Sequence, residues 1–178
     1  MKKIILITLI TLSCLAVRAQ YKPVDKKSTV QFTIANFGFD VKGSFTGIGG
    51  MINFDTQSPA AGSMDITIDA ATINTDNSLR DKHLKDESYF DVKNYPNIHF
   101  VSAKIAAAGK AGNYIVTGKL TIKGKSKDIS IPFSEAAGTD EVLFKGSFKI
   151  NRKDFGVGGT STIANELEIT LNVVAAKA

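Results

Sequence analysis

The residues of this chain that could act on a substrate are few and fall in two clusters. Arg80, Asp81 and His83 lie within four positions of one another. A histidine with an orienting carboxylate and an adjacent anion clamp is a constellation suited to general-base catalysis. The same residues also make an ordinary loop anchor, with Arg80 and Asp81 in salt bridges or caps and His83 bonded to a carbonyl. The second cluster is Asn151-Arg152-Lys153-Asp154-Phe155-Gly156. His83 and His99 are the only histidines and sit far apart in sequence, so the supply of metal ligands is poor. Cys14 is the only cysteine. No Gly-x-Ser-x-Gly elbow is present, and Gly47-Ile48-Gly49-Gly50 precedes a strand pattern rather than a helix, which excludes a dinucleotide loop. No catalytic residue, metal or cofactor is expected on these grounds.

The amino terminus alters the charge arithmetic. Lys2 and Lys3 precede an apolar run from Ile4 to Leu15, and Val17-Arg18-Ala19 places small residues where a signal peptidase needs them. Residues 1–19 read as a secretory signal peptide, too short for a membrane span, and 20–178 as a single domain. Cys14 falls inside the signal. Thr11-Leu12-Ser13 before it is a poor lipobox, so a lipoprotein is not expected. The whole chain carries 22 basic and 17 acidic residues, net +5. Removing Lys2, Lys3 and Arg18 leaves 22 − 3 = 19 basic against 17 acidic. Nucleic-acid binding then has no support from composition. The expected location is periplasmic or secreted.

Period-two alternation dominates the remainder. Val30, Phe32 and Ile34 alternate with polar residues, as do Phe37, Phe39, Val41 and Phe45. The same pattern holds for Met64–Ile68, Val116–Ile122, Ile129–Phe133, Phe144–Ile150 and Leu167–Val173. Stretches 48–55 and 97–105 alternate less cleanly. Gly-, Asn- and Pro-containing turns separate the runs. Eight or nine strands, mostly joined as hairpins, predict an all-β antiparallel barrel or sandwich. Residues 71–97 are too long for a hairpin loop. Ser78-Leu79-Arg80-Asp81 fits a capping box with a short helix through about Lys85, and Tyr89, Phe90 and Tyr95 predict that the excursion packs down.

With no Trp and four Tyr, the chain cannot furnish the aromatic girdles of a membrane barrel, so the apolar face points inward and no stable membrane insertion is expected. Gly43, Gly118 and Gly146 fall on that inner face. They mark either sharp coiling around a solid core or a lumen kept partly empty. On the second reading, Gly118→Phe should reduce ligand uptake and leave the fold largely intact. Arg152 and Asp154 keep the inward phase if their strand continues unbroken; otherwise a bulge turns them outward, or they close the barrel end as a salt bridge.

Arg80-Asp81-Lys82-His83-Leu84, Tyr89-Phe90-Asp91-Val92, Tyr95-Pro96, Gly118-Lys119-Leu120-Thr121-Ile122-Lys123-Gly124 and Asn151–Gly156 together resemble the YceI-like family. The match covers essentially all of the chain after the signal. The resemblance implies an extended lipocalin-like barrel, exported, with a long isoprenoid or acyl lipid as its partner. Without Trp, the likeness to true lipocalins is architectural only.

The lining expected from alternation is Val30, Phe32, Phe39, Val41, Phe45, Ile66, Ile68, Phe100, Leu120, Ile131, Phe133, Phe148, Ile169 and Leu171, with Arg80, His83 and Arg152 as polar contacts. Residues 79–91 hold three cations and four carboxylates, a poor anion trap, so a neutral head fits at least as well as a prenyl phosphate. The expected function is an exported carrier or sequestering protein for a long-chain apolar ligand. The alternatives are an enzyme acting on a lipid-like substrate through the Arg80/Asp81/His83 loop, and a protein-interaction module. A homodimer is compatible with each.

Overall fold

The structure is a computed structural model and describes residues 19–160 and 162–178. The expected signal segment, including Cys14, lies outside the described residues except for Ala19. Ten strands and one short helix follow in order: β1 (Gln20–Pro23), β2 (Thr29–Asn36), β3 (Phe39–Phe45), β4 (Gly49–Asn53), β5 (Ser63–Asp69), α1 (Ser78–Lys85), β6 (Asn97–Ala107), β7 (Asn113–Ile122), β8 (Lys125–Ala137), β9 (Glu141–Asn151) and β10 (Ile163–Lys177). All pairings are antiparallel. The order β1-β4-β5-β6-β7-β8-β9-β10 closes on itself through β1–β10, giving an eight-stranded barrel.

The two further strands form a hairpin on the same wall. β10 carries β9 on one edge, while its other edge is divided between two partners. From Ile163 to Asn172 it pairs with β2, and from Ala175 to Lys177 with β1. The β2–β3 hairpin therefore rises beside β10 at the upper end. Its free edge is tied to the long loop by reciprocal Ser44–Asn74 backbone bonds of 2.8 and 3.0 Å. A free edge of this kind invites aggregation, and this contact covers part of it.

Alternating residues meet inside, as a period of two requires. Val30, Phe100, Val116, Leu120, Ile131, Phe144 and Val173 are all buried. At the lower end Phe54 gathers Tyr114, Phe133 and Phe144 at centroid distances of 4.9, 5.6 and 5.8 Å. Each contact is tilted edge to face, the arrangement that aromatic quadrupoles favour. This cluster closes the floor. The outer face carries exposed pairs such as Lys27–Glu141 and Lys149–Glu166, which contribute little to stability.

Two irregularities interrupt the ladders, and the first falls in the 97–105 stretch whose alternation is less clean. β6 gains a residue between Ser102 and Lys104, so Phe100 and Ile105 both face inward although their numbering phases differ. The β8–β9 ladder stops at Phe133–Gly146. The Pro132 carbonyl faces Gly146, and proline has no N–H to offer on that side, so the two strands separate beyond it.

The bulge overturns the expectation for Gly118. This glycine lies opposite Ser102, and a Cβ there would stand 2.3 Å from the Val101 carbonyl oxygen and 2.8 Å from Ser102 Cα. It permits a close backbone approach and does not border a lumen. Gly118→Ala should therefore destabilise the protein by about 2 kcal/mol in chemical denaturation, and Gly118→Phe should prevent folding. An unchanged midpoint for the alanine variant would mean that the bulge relaxes freely.

Candidate ligand-binding cavity

Above the aromatic floor the inner wall does not fill the barrel. A cavity of about 240 Å3 remains, bordered almost wholly by aliphatic and aromatic side chains. Its lower walls, including Phe133, Phe144 and Val173, are buried. Its upper walls, including Ile34, Val41, Ile163 and Leu167, are only half-buried. That gradient places the more exposed side of the cavity at the upper end, where β2, β3 and β10 line it. Among the described residues no carboxylate borders the cavity; the charged residues at its wall are Arg80, Lys145 and Arg152.

The 71–97 excursion forms part of the roof and packs down as its aromatics require. Phe90 meets Phe45 edge to face at 5.5 Å, and Phe45 in turn meets Phe32 at 5.8 Å. Tyr89 and Phe90 border the cavity, whereas Tyr95 lies against Gly124 at the hairpin of β7 and β8. α1 covers the predicted residues, but its cap is one residue earlier than the expected box. Asn77 takes the extended conformation, and its side chain accepts the Arg80 N–H at 3.0 Å. Asp81 does not serve the helix start. Its Oδ1 accepts the Thr75 N–H at 2.9 Å and the Thr75 hydroxyl at 2.5 Å. Arg80 donates from Nε to Thr75 Oγ1 and from Nη2 to the Thr75 carbonyl, each at 2.7 Å. Thr75 is buried, so this network orders the loop while leaving Arg80 at the cavity wall.

The catalytic arrangement is not assembled. Asp81 is engaged by Thr75, and His83 is exposed on α1 and does not border the cavity. Sequence proximity put these groups in one loop, and the helix then separated their directions. Among the described residues no group of three or more His, Cys, Asp or Glu is placed to hold a metal ion.

Arg152 is buried and at the cavity wall, but not as the continuation of β9. The strand ends at Asn151, and residues Arg152–Phe155 form a 3-10 turn. The guanidinium donates to the carbonyls of Ala164, Val157, Gly158 and Ile163 at 2.8–3.1 Å. It thereby stitches the β9–β10 connection across the barrel end. Asp154, expected as its neighbour in phase, instead lies on the surface 3.9 Å from Lys127. The turn explains both outcomes, because it breaks the period-two count.

All the expected lining residues border the cavity except Phe39, and the expected polar contacts do so except His83. Phe39 has the inward phase of Val41 but lies 77% exposed near the hairpin tip, where no opposite wall remains. Phase alone could not reveal that. Ile34 and Leu167, in the same alternating phases, also border the cavity. Gly146 does border it, whereas Gly43 is covered by the Phe32 ring, 2.3 Å from where its Cβ would be. Arg152→Met should cost about 3 kcal/mol or more, because several buried carbonyls lose a charged donor. Hydrogen exchange across residues 157–165 would rise with it; a loss below about 1 kcal/mol would contradict this role.

The geometry agrees with the relatives. A UPF0312 protein of Photorhabdus laumondii is 32% identical over 150 residues, covering 79% of this chain and 77% of its own. The crystal structure of Burkholderia cenocepacia BcnA superposes with a TM-score of 0.82 at 33% identity, covering 86% of this chain and 99% of BcnA. A polyisoprenoid binding domain from Saccharophagus degradans, implicated in plant cell wall breakdown, shares the fold with a TM-score of 0.71 at 13% identity, over 90% of this chain and 99% of that domain. The family model for the YceI-like domain matches residues 21–175. On this match and on the barrel it describes, the chain belongs to the YceI-like domain family.

Proposed function

We propose that the protein is an exported carrier that holds a long-chain apolar molecule in its lumen for transport, storage or sequestration. The cargo class is a polyisoprenoid, an isoprenoid quinone or a fatty-acid derivative. The observation that carries this reading is the apolar cavity itself, floored by aromatics and more exposed at its upper end. The Saccharophagus degradans domain, which has the same fold, adds support for an isoprenoid cargo. The signal-like amino terminus supports export. Among the described residues no helix is long and apolar enough to cross a membrane.

Burial energetics fit a carrier. Each methylene removed from water contributes ~0.8 kcal/mol, so about 15 contribute roughly 12 kcal/mol gross. Association costs about 4–15 kcal/mol, which leaves modest affinity for many chains. Selectivity then rests on the head group. Of the cations at the cavity wall, Arg152 donates to main-chain carbonyls, so Arg80 and Lys145 without bordering carboxylates suit a neutral acceptor or a single negative charge. A diphosphate would want a denser cation cluster.

Ile169 offers the direct test. It lies in the wall between Phe32 and Phe148, its register partners on either side. Ile169→Trp should fill the lumen and weaken binding of a fluorescent long-chain fatty acid or a short-chain quinone by at least about tenfold. Thermal stability should change little, because the added volume enters existing space. Unchanged affinity would put the bound chain outside the lumen.

A further inference from the structure

The tip of the β2–β3 hairpin has a composition that the fold does not require. Phe37 and Gly38 form its two-residue turn, with φ of 51° and 81°. Positive φ at both central positions belongs to the type I′ hairpin, for which Asn-Gly is the favoured pair. A phenylalanine in the left-handed region is a steric outlier. Phe37 is also 73% exposed, so burial does not offset that strain. Phe39, its neighbour across the turn, is 77% exposed. Two large apolar rings therefore sit in water at one strained turn. Such outliers gather at functional elements.

The inner face of the hairpin explains the placement. On β3, Phe45 and Val41 border the cavity, and Phe39 is the next residue in the same phase toward the tip. On β2, Phe32, Ile34 and Asn36 border it and lead to Phe37. An apolar track thus leaves the cavity at its opening and ends in the two exposed rings. α1, whose Arg80 and Leu84 border the same cavity, adds Leu79 at 65% exposure.

We propose that this tip is a wedge by which the protein docks on a lipid bilayer, bringing the cavity's opening to the membrane surface. The inference rests on the carrier reading for its purpose. A long-chain cargo needs an apolar medium at the opening through which it enters and leaves, and a bilayer supplies one. The rings project on a two-residue turn, a convex shape that enters a soft phase. The nearest charges on β3 are Asp40 and Lys42, of opposite sign, so docking depends on ring burial rather than on anionic lipid. Binding should accordingly be nearly insensitive to salt.

The test is co-sedimentation with phosphatidylethanolamine–phosphatidylglycerol vesicles, comparing the protein with the double variant Phe37→Asn, Phe39→Ser. Asparagine suits the turn, so melting temperature should hold or rise. Vesicle partitioning should fall by roughly a hundredfold, from the loss of two buried phenyl rings. In parallel, equilibrium binding of the fluorescent fatty acid is measured without vesicles and should be unchanged. Equal partitioning of variant and parent would overturn the proposal, as would no partitioning of the parent. A parent that is dimeric and becomes monomeric on substitution would reassign the tip to self-association and overturn it too. If the parent partitions through the tip yet takes up no probe, the docking stands and the carrier reading fails.

Discussion

The fold depends on β10 satisfying both of its edges. One edge pairs with β9 continuously from Glu166–Asn151 to Ala176–Glu141. The other must be shared, because β1 is only four residues long and reaches β10 at its lower end alone. Backbone groups left unpaired in an apolar wall are costly, so a second partner is needed above. The β2–β3 hairpin supplies it, and with it the taller side of the barrel. The cavity follows from that asymmetry. Below, eight strands close tightly around the Phe54 cluster. Above, the wall is completed by a hairpin on one side and by a folded loop on the other.

The polar groups at the upper end serve that loop and the β9–β10 connection. Thr75 bonds both Asp81 and Arg80, and Arg152 bonds a set of main-chain carbonyls. Low dielectric strengthens such networks and makes each missing member expensive. The result is a roof ordered by polar contacts above a space lined by apolar ones. That division lets the lumen stay apolar while charged residues stand at its border.

Much of this was legible in the sequence because alternation is a local consequence of strand geometry. Val30, Phe100, Leu120, Ile131 and Leu171 all lie where their phase put them. The exceptions arise where the local count is broken by something non-local. Gly118 faces a bulge on the neighbouring strand, which no feature of its own strand announces. Arg152 leaves the phase because β9 ends one residue earlier. Phe39 keeps the phase but stands beyond the opposite wall, and wall height is a property of the whole barrel. β1 was too short to alternate visibly. Pro132 was a readable sign that β8 and β9 would part, since proline within a strand pattern marks an edge.

A carrier of the proposed kind requires that the space above the aromatic floor be held open for a long apolar chain. Native mass spectrometry of the protein isolated from its own host, followed by organic extraction of whatever is released, tests it most directly. The account predicts a co-purifying prenyl or acyl molecule at about one per protein, consistent with a single lumen. A protein that emerges empty, and that also fails to take up quinones, prenyl phosphates and fatty amides, would contradict it.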